Sequence, residues 1–130
     1  AGLERAQPVE RELAASSWGS PKDLSTWDSA RVAEVAFAAR GAELETVAAA
    51  AHGGRGPALE RAARELCALQ ASDWAFLLTR ELAADYPLER VRAHQKELRA
   101  ALGALDSAPQ PDPELRSLLP ELDLAPLVSP

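Results

Sequence analysis

Leu88, Val91, Gln95, Leu98, Leu102 and Leu105 recur in alternating steps of three and four. That spacing puts them on one face of an α-helix; a strand, with its period of two, does not fit it. Tyr86-Pro87 sets where the helix starts, because proline lacks an amide and disfavours helical backbone in the residue before it. This is the cleanest pattern in the chain, and a fold must supply other helices to cover its apolar face.

Two further helices are predicted. One starts at Asp28 or Ser29, both good N-caps. Val32, Val35, Ala39, Ala42, Val47 and Ala51 follow roughly helical spacing, and Phe37 and Leu44 widen the apolar surface. His52-Gly53-Gly54-Arg55-Gly56 ends it, since clustered glycines break a helix. Pro57 then suits the first turn of the next helix. Its stripe is Leu59, Ala62, Leu66, Leu69, Asp73, Phe76 and Leu77, and it is expected to run to about Asp85. Residues 1–28 read as irregular. "GLERA" resembles the last turn of a helix, and "PVERELAA" an extended piece anchored by Val9 and Leu13. After Ser107 spaced prolines allow only a short helix over 114–119, and the rest is expected either to pack as an extended strap through its leucines or to be partly disordered. The fold expected is all-α. An N-terminal loop segment (1–28) leads into an antiparallel three-helix bundle (29–107), followed by an extended proline-rich C-terminal tail (108–130).

Composition narrows the function classes. A chain of 130 residues suffices for one compact core. Its net charge of −6 argues against nucleic acid, whose phosphates need clustered Lys and Arg. Cys67 is the single cysteine, so an internal disulfide is impossible and a reducing compartment is expected. His52 and His94 lie in no metal-binding pattern, so neither a metal nor another cofactor is expected. No apolar run approaches the about 20 residues of a membrane span. The N-terminal stretch lacks the basic start and apolar core of a signal peptide. A soluble, cytoplasmic protein without membrane partners is the expectation.

Some residues do not suit a plain bundle. Asp73, flanked by Leu69 and Leu77, falls on the apolar face of the second helix. A buried carboxylate needs partners. It either anchors a loop, accepting from backbone or tryptophan N–H groups, or faces the hydroxyls of a polar ligand. In "ASSWGSPKDLSTWDS" Trp18 and Trp27 sit within loop chemistry. They either plug the bundle end or offer a flat face to a ligand. An indole face suits a C–H-rich surface such as one side of a pyranose ring. Trp18, beside Gly19, is the ligand-facing candidate; Trp27, directly before the helix cap, is the loop anchor. Trp74 reads by default as a core or interface aromatic. Cys67 reads as a small apolar residue rather than a nucleophile. Arg90 and His94, four apart, are expected to share a structural hydrogen bond.

Three stretches in order carry a resemblance: "ASSWGSPKDLSTWDS", "LQASDWAFLL" and "YPLERVRAHQKEL". They resemble the C-terminal helical region of glycoside hydrolase family 57 branching enzymes. The family pattern Ser-Trp-Gly…Asp…Trp falls on Ser17, Trp18, Gly19, Asp23 and Trp27. Ala-Ser-Asp-Trp-x-Phe falls on 71–76, and Tyr…Arg…His on Tyr86, Arg90 and His94. The resemblance implies an enzyme that cuts an α-1,4-glucan and reattaches the piece through an α-1,6 bond. Its catalytic glutamate and aspartate belong to a (β/α)7 barrel N-terminal to this region, and neither has a counterpart here, so no catalytic residue is assigned. It also implies that this region packs against the barrel and completes a glucan cleft, with Trp18 lining it and Asp73 contacting sugar hydroxyls. The candidate substrate-binding residues are therefore Trp18, Asp73, Trp27 and Trp74. Two departures stand out. Glu81-Leu82 replaces a Gly-Gln pair, whose glutamine is a sugar contact in many members. Between the tryptophans, 20–24 replaces a glycine-rich stretch with a histidine. The "KD…W" and "AADY" stretches are similar to an actinobacterial-type subgroup. An α-amylase or 4-α-glucanotransferase on the same scaffold, or a stand-alone helical module, are the alternatives.

Overall fold

The computed structural model describes residues 12, 14, 16–18, 22–105 and 118–129. Everything regular among them is helical: α1 (Ala33–Ala51), α2 (Gly56–Leu69), α3 (Asp73–Arg80), α4 (Tyr86–Gly103) and the single turn α5 (Ala125–Val128). The most extensive packing is between α2 and α4. α1 lies against both, α3 against α4 and α5 against α1. The core is Val35, Ala42, Ala62, Leu69, Val91, Leu98 and Ala101, with Leu66, Trp74, Leu78, Leu88 and Leu102 packed onto it. Alanines let the helices approach closely. Each buried leucine contributes about 1.5–3 kcal/mol from removal of apolar surface from water.

The expected second helix is two helices. α2 ends at Leu69, and Gln70, Ala71 and Ser72 turn the chain before α3 begins. The new axis re-phases everything after the break, so Asp73 does not continue the buried stripe of Leu59, Ala62 and Leu69. α3 then stops at Arg80 rather than near Asp85. Its end is a left-handed cap: Glu81 has φ +54°, its N–H donates to the Leu78 carbonyl, and the N–H of Leu82 donates to the Leu77 carbonyl.

α1 begins at Ala33, later than its predicted caps. The Leu24 carbonyl accepts from the N–H groups of Trp27 and Asp28, so the chain is still turning there. Within α1 the buried face is Val35, Ala42, Thr46 and Ala50; Val47 and Ala51, expected inside, face out. Thr46 can be buried because its hydroxyl donates to the Ala42 carbonyl at 2.8 Å. The glycine cluster ends α1 as expected. The N–H of Gly53 donates to the Ala50 carbonyl, and that of Gly54 to the Ala49 carbonyl. Gly53 has φ +94°, and a Cβ on Gly54 would lie 2.8 Å from the Ala49 oxygen. Pro57 and Pro87 each sit in the first turn of their helix.

Most of the predicted 114–119 helix lies outside the described residues, as do Val9 and Leu13. Beyond it, Leu122, Leu124 and Leu127 are half-buried, and the Arg55 guanidinium donates to both the Ala50 and Val128 carbonyls, tying α5 to the end of α1. Among the described residues no helix is long and apolar enough to cross a membrane.

Candidate functional site

The segment before α1 is held by its own polar groups. The Ser17 N–H donates to the Lys22 carbonyl at 3.2 Å, and the Ser17 hydroxyl to the Asp23 carbonyl. The Ser25 hydroxyl and N–H both donate to Asp23 Oδ1, holding that carboxyl below the usual carboxylate range. Thr26 is buried, and its carbonyl accepts from the Thr79 hydroxyl at 3.0 Å. This bond fastens the loop to α3. Glu81 at the far end of α3 pairs with Arg31, whose guanidinium holds the glutamate carboxyl down. Gly19, the predicted point of close approach, lies outside the described residues.

These ties bring the loop over the start of α3. Trp18, 73% exposed, lies against Phe76, ring centroids 5.8 Å apart and planes inclined by 47°. Trp18, Phe76, Trp27, Ser72 and Asp73 line one open cleft of about 490 Å³. Aromatic faces form its walls, and a carboxylate and a hydroxyl stand at its edge. Trp27 is half-buried at the back. Such a cleft presents apolar surface to C–H groups and polar edges to hydroxyls, the combination a sugar ring requires.

Three of the four predicted site residues therefore meet. Asp73, however, does not lie where its spacing predicts. It is exposed rather than buried on an apolar face, because it opens α3 after the break at 70–72. Its carboxylate reaches the cleft from the first turn of a helix, where negative charge is favoured. Neither does it accept from a tryptophan N–H: the Trp74 indole N–H donates to the Ala68 carbonyl at 2.8 Å. Trp74 thereby satisfies a carbonyl at the C-terminal end of α2. It packs with Tyr86 and His94 on the core side, with centroids 6.2 and 6.4 Å away, and is not among the residues lining the cleft. Phe76 and Ser72 belong to the cleft; both fall in the Ala-Ser-Asp-Trp-x-Phe stretch but were not among the predicted site residues. Their spacing around Asp73 is the signal: 72, 73 and 76 share one side of a helix beginning there.

A second polar cluster is internal. Glu65, 1% exposed, accepts from His94 Nδ1 at 2.7 Å, and His94 Nε2 accepts from Arg90 at 3.2 Å. The Arg90–His94 bond was expected; Glu65 was not singled out, although Ala62 three residues before it and Leu69 four after it put it on the buried side of α2. Burial pushes the Cys67 thiol up, away from a nucleophile's range. Among the described residues no group of three metal-ligating side chains comes together.

Residues 36–123 match the family described as 1,4-alpha-glucan branching enzyme, C-terminal. The chain is 32% identical to a probable 1,4-alpha-glucan branching enzyme of Mycobacterium tuberculosis, across 72% of this chain and 20% of that protein. It is 37% identical to a 1,4-alpha-glucan branching enzyme of Thermococcus kodakarensis, across 68% of this chain and 14% of that protein. The chain thus spans a fifth or less of the length of these relatives. No solved structure gives a significant match.

Proposed function

The chain belongs to the family of 1,4-alpha-glucan branching enzyme C-terminal domains, and on that premise we propose that it forms one wall of a glucan cleft in such an enzyme. The observation that carries this reading is the meeting of Trp18, Phe76, Trp27 and Asp73 around one open cleft. Trp18 stacks on the C–H face of a glucosyl ring, and Asp73 accepts from its hydroxyls. The two carboxylates that break and remake the glycosidic bond belong to a (β/α)7 barrel of glycoside hydrolase family 57 type, N-terminal to this region. α1, α2 and α4 serve as an antiparallel three-helix frame that carries the cleft, and α5 packs against α1. The single cysteine supports a cytoplasmic location.

The physical role follows from the reaction. A retaining enzyme forms a glycosyl-enzyme intermediate, which either water or a sugar hydroxyl can discharge. Branching requires the hydroxyl to win. An aromatic wall holds the acceptor chain in place and displaces water from the same space.

The test is Trp18→Ala in a branching enzyme carrying this chain. The rate of new α-1,6 bonds, read by linkage analysis, should fall about tenfold, equivalent to about 1.4 kcal/mol. The helical signal and melting temperature should stay unchanged, since Trp18 is largely exposed. An unchanged rate returns Trp18 to a surface residue. A wild-type product without new α-1,6 bonds points instead to a hydrolase or 4-α-glucanotransferase.

A further inference from the structure

The cleft under Trp18 does not end at Trp27. A second cavity of about 320 Å³ opens beyond it, and Trp27 and Ser72 line both. Its floor is the rigid part of the molecule: Val32, Val35 and Leu69 are almost fully buried, and Ala39 packs beside them. Its mouth carries the exposed side chains of Gln70 and Ser72. None of the residues lining it is charged. The chemistry therefore repeats that of the first cavity, an apolar platform with hydroxyl-seeking groups at one edge, but without the carboxylate. A glutamine amide both donates and accepts, as a sugar hydroxyl does.

We propose that this second cavity is a further glucan subsite, reached past the edge of the Trp27 indole. The inference rests on the reading of the Trp18 cleft as a glucan site. A neutral polymer with a C–H face on every unit can use two such platforms in succession, while an ionic ligand would find no counter-charge in the second. The glucan lies on Trp18 and Phe76, crosses at Ser72, and sets its next units on the accessible Ala36, Ala39 and Ala75 of the second cavity. Gln70 holds their hydroxyls. Trp27, shared by both cavities, fixes the direction of the chain.

The experiment is calorimetric titration of a branching enzyme carrying this chain with maltooligosaccharides from maltose to maltoheptaose. The variants are Gln70→Ala, Ala36→Leu and Trp18→Ala. Ala36 lines the second cavity and is exposed, so a leucine there fills the groove without entering the core. Wild-type affinity should climb with ligand length. Gln70→Ala and Ala36→Leu should leave the affinity for the shortest bound ligand unchanged and weaken maltoheptaose about tenfold. Trp18→Ala should weaken every length. If the gain with length survives in both groove variants, the second subsite is wrong and the Trp18 reading stands. If the wild-type enzyme binds none of the series, or Trp18→Ala binds all of it unchanged, the Trp18 reading fails and the second subsite falls with it.

Discussion

Glu65 and Asp73 are carboxylates in opposite environments. Asp73 sits between leucines in the sequence and is exposed. Glu65 sits among charged neighbours and is buried against His94. The arginine that reaches His94 Nε2 can only donate, so Nε2 accepts and the imidazole proton is on Nδ1, directed at Glu65. A buried carboxylate that loses such a donor keeps its desolvation cost. Arg61 remains as a longer partner, 3.4 Å from Glu65 Oε1, so His94→Leu should destabilise the chain by about 2 kcal/mol, measured by urea unfolding. A loss well below 1 kcal/mol would mean that the Arg61 pair alone satisfies Glu65. Glu81 is a second case. It occupies the left-handed cap of α3, a conformation that favours glycine, at the position where many resembling sequences carry glycine. Its ion pair with Arg31 is exposed and offsets little of that strain. Glu81→Gly should raise the melting temperature in a thermal scan; a lower one would assign the cap to the Arg31 pair.

At the scale of elements, the helices were legible where punctuation and period agreed. Pro57, Pro87 and the glycine cluster act through backbone sterics alone, and each stands at an element boundary. The break between α2 and α3 was not legible, because Gln-Ala-Ser contains no proline or glycine and the apolar residues beyond it continue the same period. At the end of α2 the Ala68 carbonyl accepts from the Ala71 N–H and from the Trp74 indole six residues on, a side-chain bond that no helix-breaking residue announces. α1 failed by one residue for a similar reason. Its outer face is also apolar, so the pattern did not choose between Thr46 and Val47, and a hydroxyl that bonds its own helix decided it. The outward side of α4 is fixed to α1 by ion pairs, Arg92 to Glu34 and Arg99 to Glu45. Hydrogen bonds from Arg99 hold the Glu45 carboxyl below its ordinary range. A carboxyl depressed in the folded state adds stability that is present above its unfolded pKa and is lost as pH falls through the folded value. The pair is solvent-exposed, so the effect is at most about 1 kcal/mol. Glu45→Gln should be less stable than wild type by up to that amount at neutral pH. The two should converge once pH falls below the depressed value. Urea midpoints at the two ends of that range decide it; a constant gap would remove Glu45 ionisation from the account.

For the molecule as a whole, the face of α1 that the described residues leave uncovered is the feature to explain. Phe37 is 79% exposed, and Leu44, Val47 and Ala48 are exposed on the same side, opposite Val35, Ala42 and Thr46. A helix apolar on both faces is normally covered on both. One face meets α2 and α4. The other is an apolar surface that no described residue covers. Left uncovered, it contributes nothing to folding of this chain, and its cost appears as association. The double variant Phe37→Ser/Leu44→Ser should unfold within about 0.5 kcal/mol of wild type, as surface changes do. Sedimentation velocity should show wild type self-associating as concentration rises and the variant remaining monomeric. A variant that unfolds would instead make this face part of the domain's own core, covered by residues outside the described set. A wild type that stays monomeric throughout would make the patch too small to drive association by itself.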